Sequence, residues 1–170
     1  MARAGWPAAR WIETPLGPVR VRASGAGVVA VEFVDGAADA ERARDEPSGG
    51  AGAPAGEYAA RCAAELLEYF AGRRREFSVP LDLRGTAFER LAWAELRRVP
   101  YGATSTYGQQ AAAMGRARAA RAVGRANGRN PAAIVVPCHR VIGAGGALTG
   151  YGGGLERKRW LLAHEAGAGG

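Results

Sequence analysis

Apolar positions along the chain change their period more than once. From Trp11 to Val34 they alternate with polar ones, broken at Gly17-Pro18 and at Gly25-Ala26-Gly27. Alternation lines every second side chain along one face of a strand. Val19, Val21 and the run from Val28 to Val34 therefore predict two strands of an antiparallel hairpin. Residues 35–56 hold alanine, glycine, proline and acids without an apolar period, which reads as a flexible acidic loop. Over residues 57–71 the period becomes helical. Tyr58, Cys62, Leu66 and Tyr69 share one face, with Ala59, Ala63, Leu67 and Phe70 beside it. On that stripe Cys62 is a core residue. Gly72 stops the helix, Arg73-Arg74-Arg75 reads as a solvated turn, and residues 77–83 read as a further strand.

A second region, residues 85–170, follows. Thr86 with Glu89 three residues on predicts a capping box. The helix behind it carries Phe88, Leu91, Ala92, Trp93, Leu96 and Val99 and ends at Pro100-Tyr101-Gly102. A short helix over 104–113, a tight turn at Met114-Gly115-Arg116 and a third helix over 117–126 match a helix-turn-helix. Arg118, Arg121 and Arg125 then fall on one face at i, i+3 and i+7. Ala117, Ala119, Ala120, Ala122 and Gly124 are small, so that backbone can approach a partner closely. Asn127-Gly128-Arg129-Asn130-Pro131 reads as a turn. Beyond it a buried run, Ile134-Val135-Val136, is halted by Pro137, and Cys138 and His139 follow at once. A hairpin at Gly143-Ala144-Gly145-Gly146, a glycine loop over 148–154, a helix over 155–165 and a disordered tail complete the chain.

Composition narrows the class. No apolar run approaches the ~18 residues of a membrane span, and the N-terminal residues lack the apolar core of a secretory signal. Two cysteines make neither a disulfide framework nor a zinc set. A free thiol persists best in a reducing compartment, so a cytoplasmic location is expected. Net charge is +7, and all but one of the 23 cationic residues are arginine. Between Glu95 and Glu156 there is no acid, while Arg97, Arg98, Arg116, Arg118, Arg121, Arg125, Arg129 and Arg140 contribute +8. A stretch cationic throughout reads as a surface for a polyanion, and arginine suits phosphate and flat bases. Neither GxxxxGK[ST] nor GxGxxG with a following helix occurs, which excludes a phosphate-cradling loop.

Cys138 beside His139 is the candidate chemistry. A cysteine attacks as thiolate, and an adjacent base supplies one. The dipeptide alone fits equally a buried thiol with a satisfied histidine. A Cys-His hydrolase or redox protein sits poorly with the acid-free arginine stretch and the lack of a second nearby cysteine.

Several motifs together resemble the O6-alkylguanine-DNA alkyltransferase (methylated-DNA–protein-cysteine methyltransferase) family. They are Asn130-Pro131, Val136-Pro137-Cys138-His139-Arg140-Val141-Ile142, Leu148-Thr149-Gly150-Tyr151-x-Gly153-Gly154-Leu155 and Leu161-Leu162-x-His164-Glu165. Upstream, Val99-Pro100-Tyr101-Gly102, Thr106-Tyr107 and Ala120-Arg121-Ala122-Val123-Gly124 extend the likeness over about residues 86–166, and Thr14-Pro15-Leu16-Gly17-Pro18 adds a weaker match. The resemblance implies an α+β chain: a ribonuclease-H-like antiparallel sheet domain with a helix over 1–84, then a winged-helix-like, mostly helical domain over 85–170. It implies transfer of an alkyl group from O6 of guanine, or O4 of thymine, in double-stranded DNA to Cys138, once per molecule. The protein is expected to act as a monomer, without cofactor or metal. His139 would activate Cys138 through a water, Glu165 would orient His139, and Asn130 would brace the intervening turn. Tyr107, the backbone of Val141 and Cys138, Tyr151 and Gly152 would surround the flipped base. Arg121 would fill the gap in the stack while Ala120 and Gly124 meet the minor groove, with Arg118, Arg125 and Arg129 on phosphates. Gly152 stands where relatives carry a side chain, which implies a looser pocket for larger alkyl groups. A relative class that lacks the cysteine binds lesions without transfer, and Cys138 argues against that role.

Overall fold

The computed structural model describes residues 7–46 and 53–167. It divides into two compact units, Met1–Leu83 and Arg84–Gly170.

The first unit is built on a three-stranded antiparallel sheet in the order β1 (Ala8–Ile12), β2 (Val19–Ser24), β3 (Gly27–Phe33). On β2 the alternation is clean: Val19, Val21 and Ala23 are buried, whereas Arg20 and Arg22 face outward. Helix α2 (Pro54–Phe70) packs across all three strands, burying Cys62, Leu66 and Tyr69 against them. Burying a leucine-sized side chain contributes roughly 1.5–3 kcal/mol, so this stripe anchors the unit. Strand β1 extends the hairpin that alternation predicts, because Ala8 and Ala9 are small enough to lie buried without marking an apolar period.

Two expectations need correction here. The stretch 35–56 is not loop throughout: α1 (Ala37–Arg44) occupies part of it and α2 begins at Pro54. Helix α1 is largely exposed, so it leaves no apolar period in the sequence. Just beyond it, Glu46 receives Arg20 at 2.9 Å and Arg22 at 2.8 Å. Residues 47–52 of that loop lie outside the described residues, as does the end of the expected disordered tail, 168–170. The second correction concerns residues 77–83, which form no strand. Only Leu81 bridges to Val28, through Val28 N–H donating to Pro80 O and Asp82 N–H to Val28 O. Pro80 has no N–H, and the Ser78 and Val79 N–H groups donate instead to the Glu65 carboxylate at 2.9 and 3.3 Å. With its donors committed to a side chain, the segment has no ladder to offer.

The second unit begins with α3 (Ala87–Leu96), and the Thr86/Glu89 capping box is present in full. Strand β4 (Ser105–Thr106) follows, then α4 (Tyr107–Ala113), whose own capping box joins Thr106 and Gln109. The helix expected over 104–113 therefore starts later, because Thr106 serves as its cap. Helix α5 spans Ala120–Gly128 rather than 117–126. Two buried contacts lock these three helices. Trp93 Nε1 donates to Ala126 O at 2.8 Å, and Gln110 and Asn127 exchange amide hydrogen bonds at 3.0 and 2.7 Å. Asn127, expected in a turn, is thus a core residue of α5. Strand β5 (Val141–Ile142) runs parallel to β4, and α6 (Leu155–Glu165) covers the segment leading into it. No helix among the described residues is long and apolar enough to cross a membrane.

Candidate active site

The apolar run before Cys138 is a turn rather than a strand. Val136 N–H donates to Ala132 O and Val135 N–H to Ala133 O. Ile134 sits at φ 72, a left-handed conformation. A β-branched residue there is strained by on the order of 1–3 kcal/mol. Its fully buried side chain holds it in place. After Pro137, one 3₁₀ turn, Cys138–Arg140, leads straight into β5.

Asn130 fastens this corner. Its Nδ2 donates to Val136 O at 2.8 Å and to Cys138 Sγ at 3.2 Å, while its Oδ1 accepts from Ala132 N at 3.0 Å. Cys138 is half-buried. Burial pushes its thiol above the ordinary value, and the Asn130 amide and the charge of Lys158 oppose that rise. At neutral pH the resting group is a thiol, so attack needs a base.

His139 is fully buried. Its Nε2 lies 2.8 Å from Glu165 Oε1. Burial would raise the Glu165 carboxyl, but hydrogen bonds from His139 and Arg140 outweigh it and hold the group well below the usual carboxylate range. An ionised Glu165 accepts, so Nε2 carries the proton and Nδ1 is left as the basic nitrogen. Nδ1 is buried and takes no hydrogen bond from any described residue. Burial also pushes the imidazole below its ordinary value, with Arg140 and Lys158 reinforcing that and Glu165 opposing it. His139 is accordingly neutral near pH 7, the form in which a histidine accepts a proton.

Three residues complete the array without having been foreseen as part of it. Arg140, counted in the sequence as one more surface cation, is buried. It grips Glu165 with Nε at 2.8 Å and Nη2 at 2.9 Å, and donates Nη1 to Val99 O at 2.7 Å. Gly102 adds its N–H to Glu165 at 3.2 Å; its left-handed φ of 77 and the 3.1 Å that a Cβ would keep from Glu165 O both favour glycine there. Lys158, the one lysine of the chain, is fully buried on α6. Its Nζ donates to Val141 O at 2.6 Å, Thr149 O at 2.9 Å and Gly150 O at 3.5 Å, tying the glycine loop to the cysteine segment. Its isolation as a lysine among arginines was the available clue.

The remaining expected residues divide into two groups. Tyr107 donates its hydroxyl to Thr149 O at 3.0 Å, so that group is engaged with the loop. Val141 O shares one of its two lone pairs with Lys158. The Tyr151 hydroxyl is buried without a partner among the described residues, and burial pushes the phenol well above its ordinary value. Gly152 is exposed, and a Cβ built on it meets nothing within 4 Å. A side chain at this position would project into open space. On α5, Arg121 and Arg125 are exposed, with Ala120 and Gly124 half-buried; the Gly124 face lies against the Tyr107 ring. Arg118 precedes α5 in an irregular turn and shares no helical stripe with them. Arg129 pairs with Glu89 at 2.9 Å.

Known proteins resemble this chain along nearly all of its length. Residues 87–167 match the family described as 6-O-methylguanine DNA methyltransferase, DNA binding domain, and residues 9–83 match its ribonuclease-like domain. A methylated-DNA–protein-cysteine methyltransferase of Mycobacterium bovis is 46% identical over 156 residues, covering 92% of this chain and 90% of that protein. One from Methanosarcina acetivorans is 42% identical over 153 residues, covering 90% and 94%. The crystal structure of Mycobacterium tuberculosis OGT in complex with DNA superposes with a TM-score of 0.80 at 42% identity, covering 95% of this chain and 94% of that one. Two family domains in order and relatives matched over nearly their whole length leave one assignment: the chain belongs to the methylated-DNA–protein-cysteine methyltransferases.

Proposed function

We propose that Cys138 accepts an alkyl group from O6 of guanine, or O4 of thymine, in duplex DNA, irreversibly and once per molecule, after the base is flipped out. The observation that carries this reading is the residue next to Cys138: His139 is a neutral imidazole held at Nε2 by the ionised Glu165, with Nδ1 left unengaged by any described residue. His139 Nδ1 takes the thiol proton through a water. Cys138 Sγ then attacks the alkyl carbon, and the electron pair of the broken bond leaves on the base oxygen. Glu165 fixes the tautomer, the task a carboxylate performs in other nucleophile–base arrays. Asn130 aims the sulfur and shares its developing charge through the 3.2 Å contact.

The base is buried in the duplex, and turning it out costs a few kcal/mol, less for a poorly paired lesion. Exposed Arg121 on α5 is suited to fill the gap, with Ala120 and Gly124 giving a shallow face toward the minor groove. Arg125 and Arg118 reach phosphates from either side of it. Arg129 does so only by giving up Glu89. The Val141 carbonyl, through its second lone pair, and the Cys138 backbone read the guanine amino group. Tyr151 walls the alkyl, and the Gly152 N–H assists the departing oxygen.

Incubation with a duplex carrying O6-methylguanine, followed by intact mass measurement, tests the reading. One methyl on Cys138, absent in Cys138→Ser, is the expected outcome. DNA binding with unmodified protein would point to a sensor and overturn it. Arg121→Ala should slow repair of duplex much more than reaction with the free alkylated base.

A further inference from the structure

The outer face of β2 carries a charge cluster that the chemistry at Cys138 does not use. Arg20 and Arg22 stand two positions apart on the strand, on the side away from buried Val19 and Val21. Arg22 forks onto Glu46, with Nε at 3.0 Å and Nη2 at 2.8 Å, and Arg20 reaches the same carboxylate at 2.9 Å. Glu32, opposite on β3, also pairs with both. Glu46 ends the segment that contains α1, and that segment is weakly attached. Helix α1 has eight residues, no side-chain cap and no buried side chain among those described. So short a helix is marginal by itself, and its contacts with the sheet must hold it. Those contacts are charged: Glu46 on the two arginines, Arg44 on Glu13 at 3.6 Å, and the Arg44 guanidinium 5.3 Å from the centre of the Trp11 ring. Partly exposed pairs of this kind contribute little each and are screened by salt. The fork that Arg22 presents to a carboxylate fits a phosphate equally well.

We propose that Arg20 and Arg22 form a second binding face for the DNA backbone, closed in cis by Glu46, and that duplex opens it by putting phosphate in place of the carboxylate. The segment Ala37–Glu46 is then a strap, released when Glu46 is displaced. One carboxylate competes poorly with a duplex, which presents many phosphates at high local density. The contact reads no base and needs no lesion, so it concerns retention on undamaged DNA. It rests on duplex DNA being the partner and not on transfer to Cys138.

The test is the affinity of a fluorescent undamaged duplex, read by anisotropy over a salt series. Glu46→Ala and Glu41→Ala each remove one negative charge from the strap, and Glu41 is exposed on α1. Glu46→Ala should bind about threefold to tenfold tighter than Glu41→Ala at low salt. Its slope of log affinity against log salt should be steeper by about 1–2, as one or two more phosphates are neutralised. In a background carrying both Arg20→Ala and Arg22→Ala, the two variants should bind alike. Equal affinity and slope with the arginines present, or a difference that survives their removal, would overturn the proposal. Wild type supplies a second measurement, free of any folding defect. Saturating undamaged duplex should speed amide exchange over residues 37–44, because the released helix melts; unchanged or slowed exchange there overturns the proposal. A wild type that binds no duplex at all would instead sink the DNA partner itself, so the two failures are distinguishable.

Discussion

Each unit contains a glutamate buried on a helix and surrounded by donors, and the two do different work. Glu65 on α2 accepts from Ser78 N, Ser78 Oγ, Val79 N and Arg61 Nε, at 2.7–3.3 Å. Its donors are backbone, hydroxyl and guanidinium, none of which exchanges a proton near neutrality. Glu165 on α6 accepts from Arg140 and Gly102 in the same manner, but a histidine is also among its donors. On the proposed reaction, a carboxylate of one kind is structural or chemical according to whether one of its partners has a second, unengaged nitrogen. The cysteines repeat the contrast. Cys62 is fully buried in the α2 stripe, and burial pushes its thiol up to about 12. Cys138 is half-exposed and held by an amide.

The sharpest way to break this contrast is to exchange the thiols. Cys138→Ser should abolish alkyl acceptance in an intact-mass assay, whereas Cys62→Ala should leave the rate unchanged and lower stability by about 1 kcal/mol. Any adduct on Cys62 would erase the distinction. Next in size is Glu165→Gln, which frees the imidazole tautomer. A loss of transfer rate on the order of a hundredfold is expected at pH 7. Glu65→Gln should leave the rate per folded molecule alone and lower stability by on the order of 2 kcal/mol, read from the denaturant midpoint.

Acid separates the units further. Glu65 is held below its ordinary 4.5: burial alone would raise it, and the bonds from Ser78, Arg61 and Val79 outweigh that. A depressed carboxylate stabilises fully above the unfolded value and loses that contribution as pH falls through and below it. His139 is depressed from 6.5. The unfolded chain takes up that proton first, so its stabilisation of the second unit starts to fall near pH 6.5. Amide exchange measured from pH 7.5 down to 4 should show opening of the second unit before the first. Simultaneous opening would contradict the assignment. The smallest effect is expected from Ser78→Ala, about 1 kcal/mol in the first unit with transfer unaltered.

Local rules made much of this legible. The Thr86/Glu89 box, α6 and the Cys138-His139 pair follow from residues within a few positions of one another. What escaped depends on distant partners. Residues 77–83 have strand composition, yet Glu65, in another helix, takes their donors. Arg140 reads as a DNA-facing cation until Glu165, 25 residues on, is placed beside it. The i, i+3, i+7 spacing of Arg118 was arithmetic on a helix that starts at Ala120. No residue near Ile134 announces its left-handed backbone, which packing imposes.

The bond between His139 and Glu165 spans 26 residues, and the carboxylate lies on the later side. A chain made from its N-terminus synthesises the thiol and the imidazole first, and their orienting acid only with the last turn of α6. Until that turn docks, His139 has neither a fixed tautomer nor a fixed direction. The contact therefore forms only after the last turn of α6 has been made and docked, which ties the histidine's orientation to completion of the second unit.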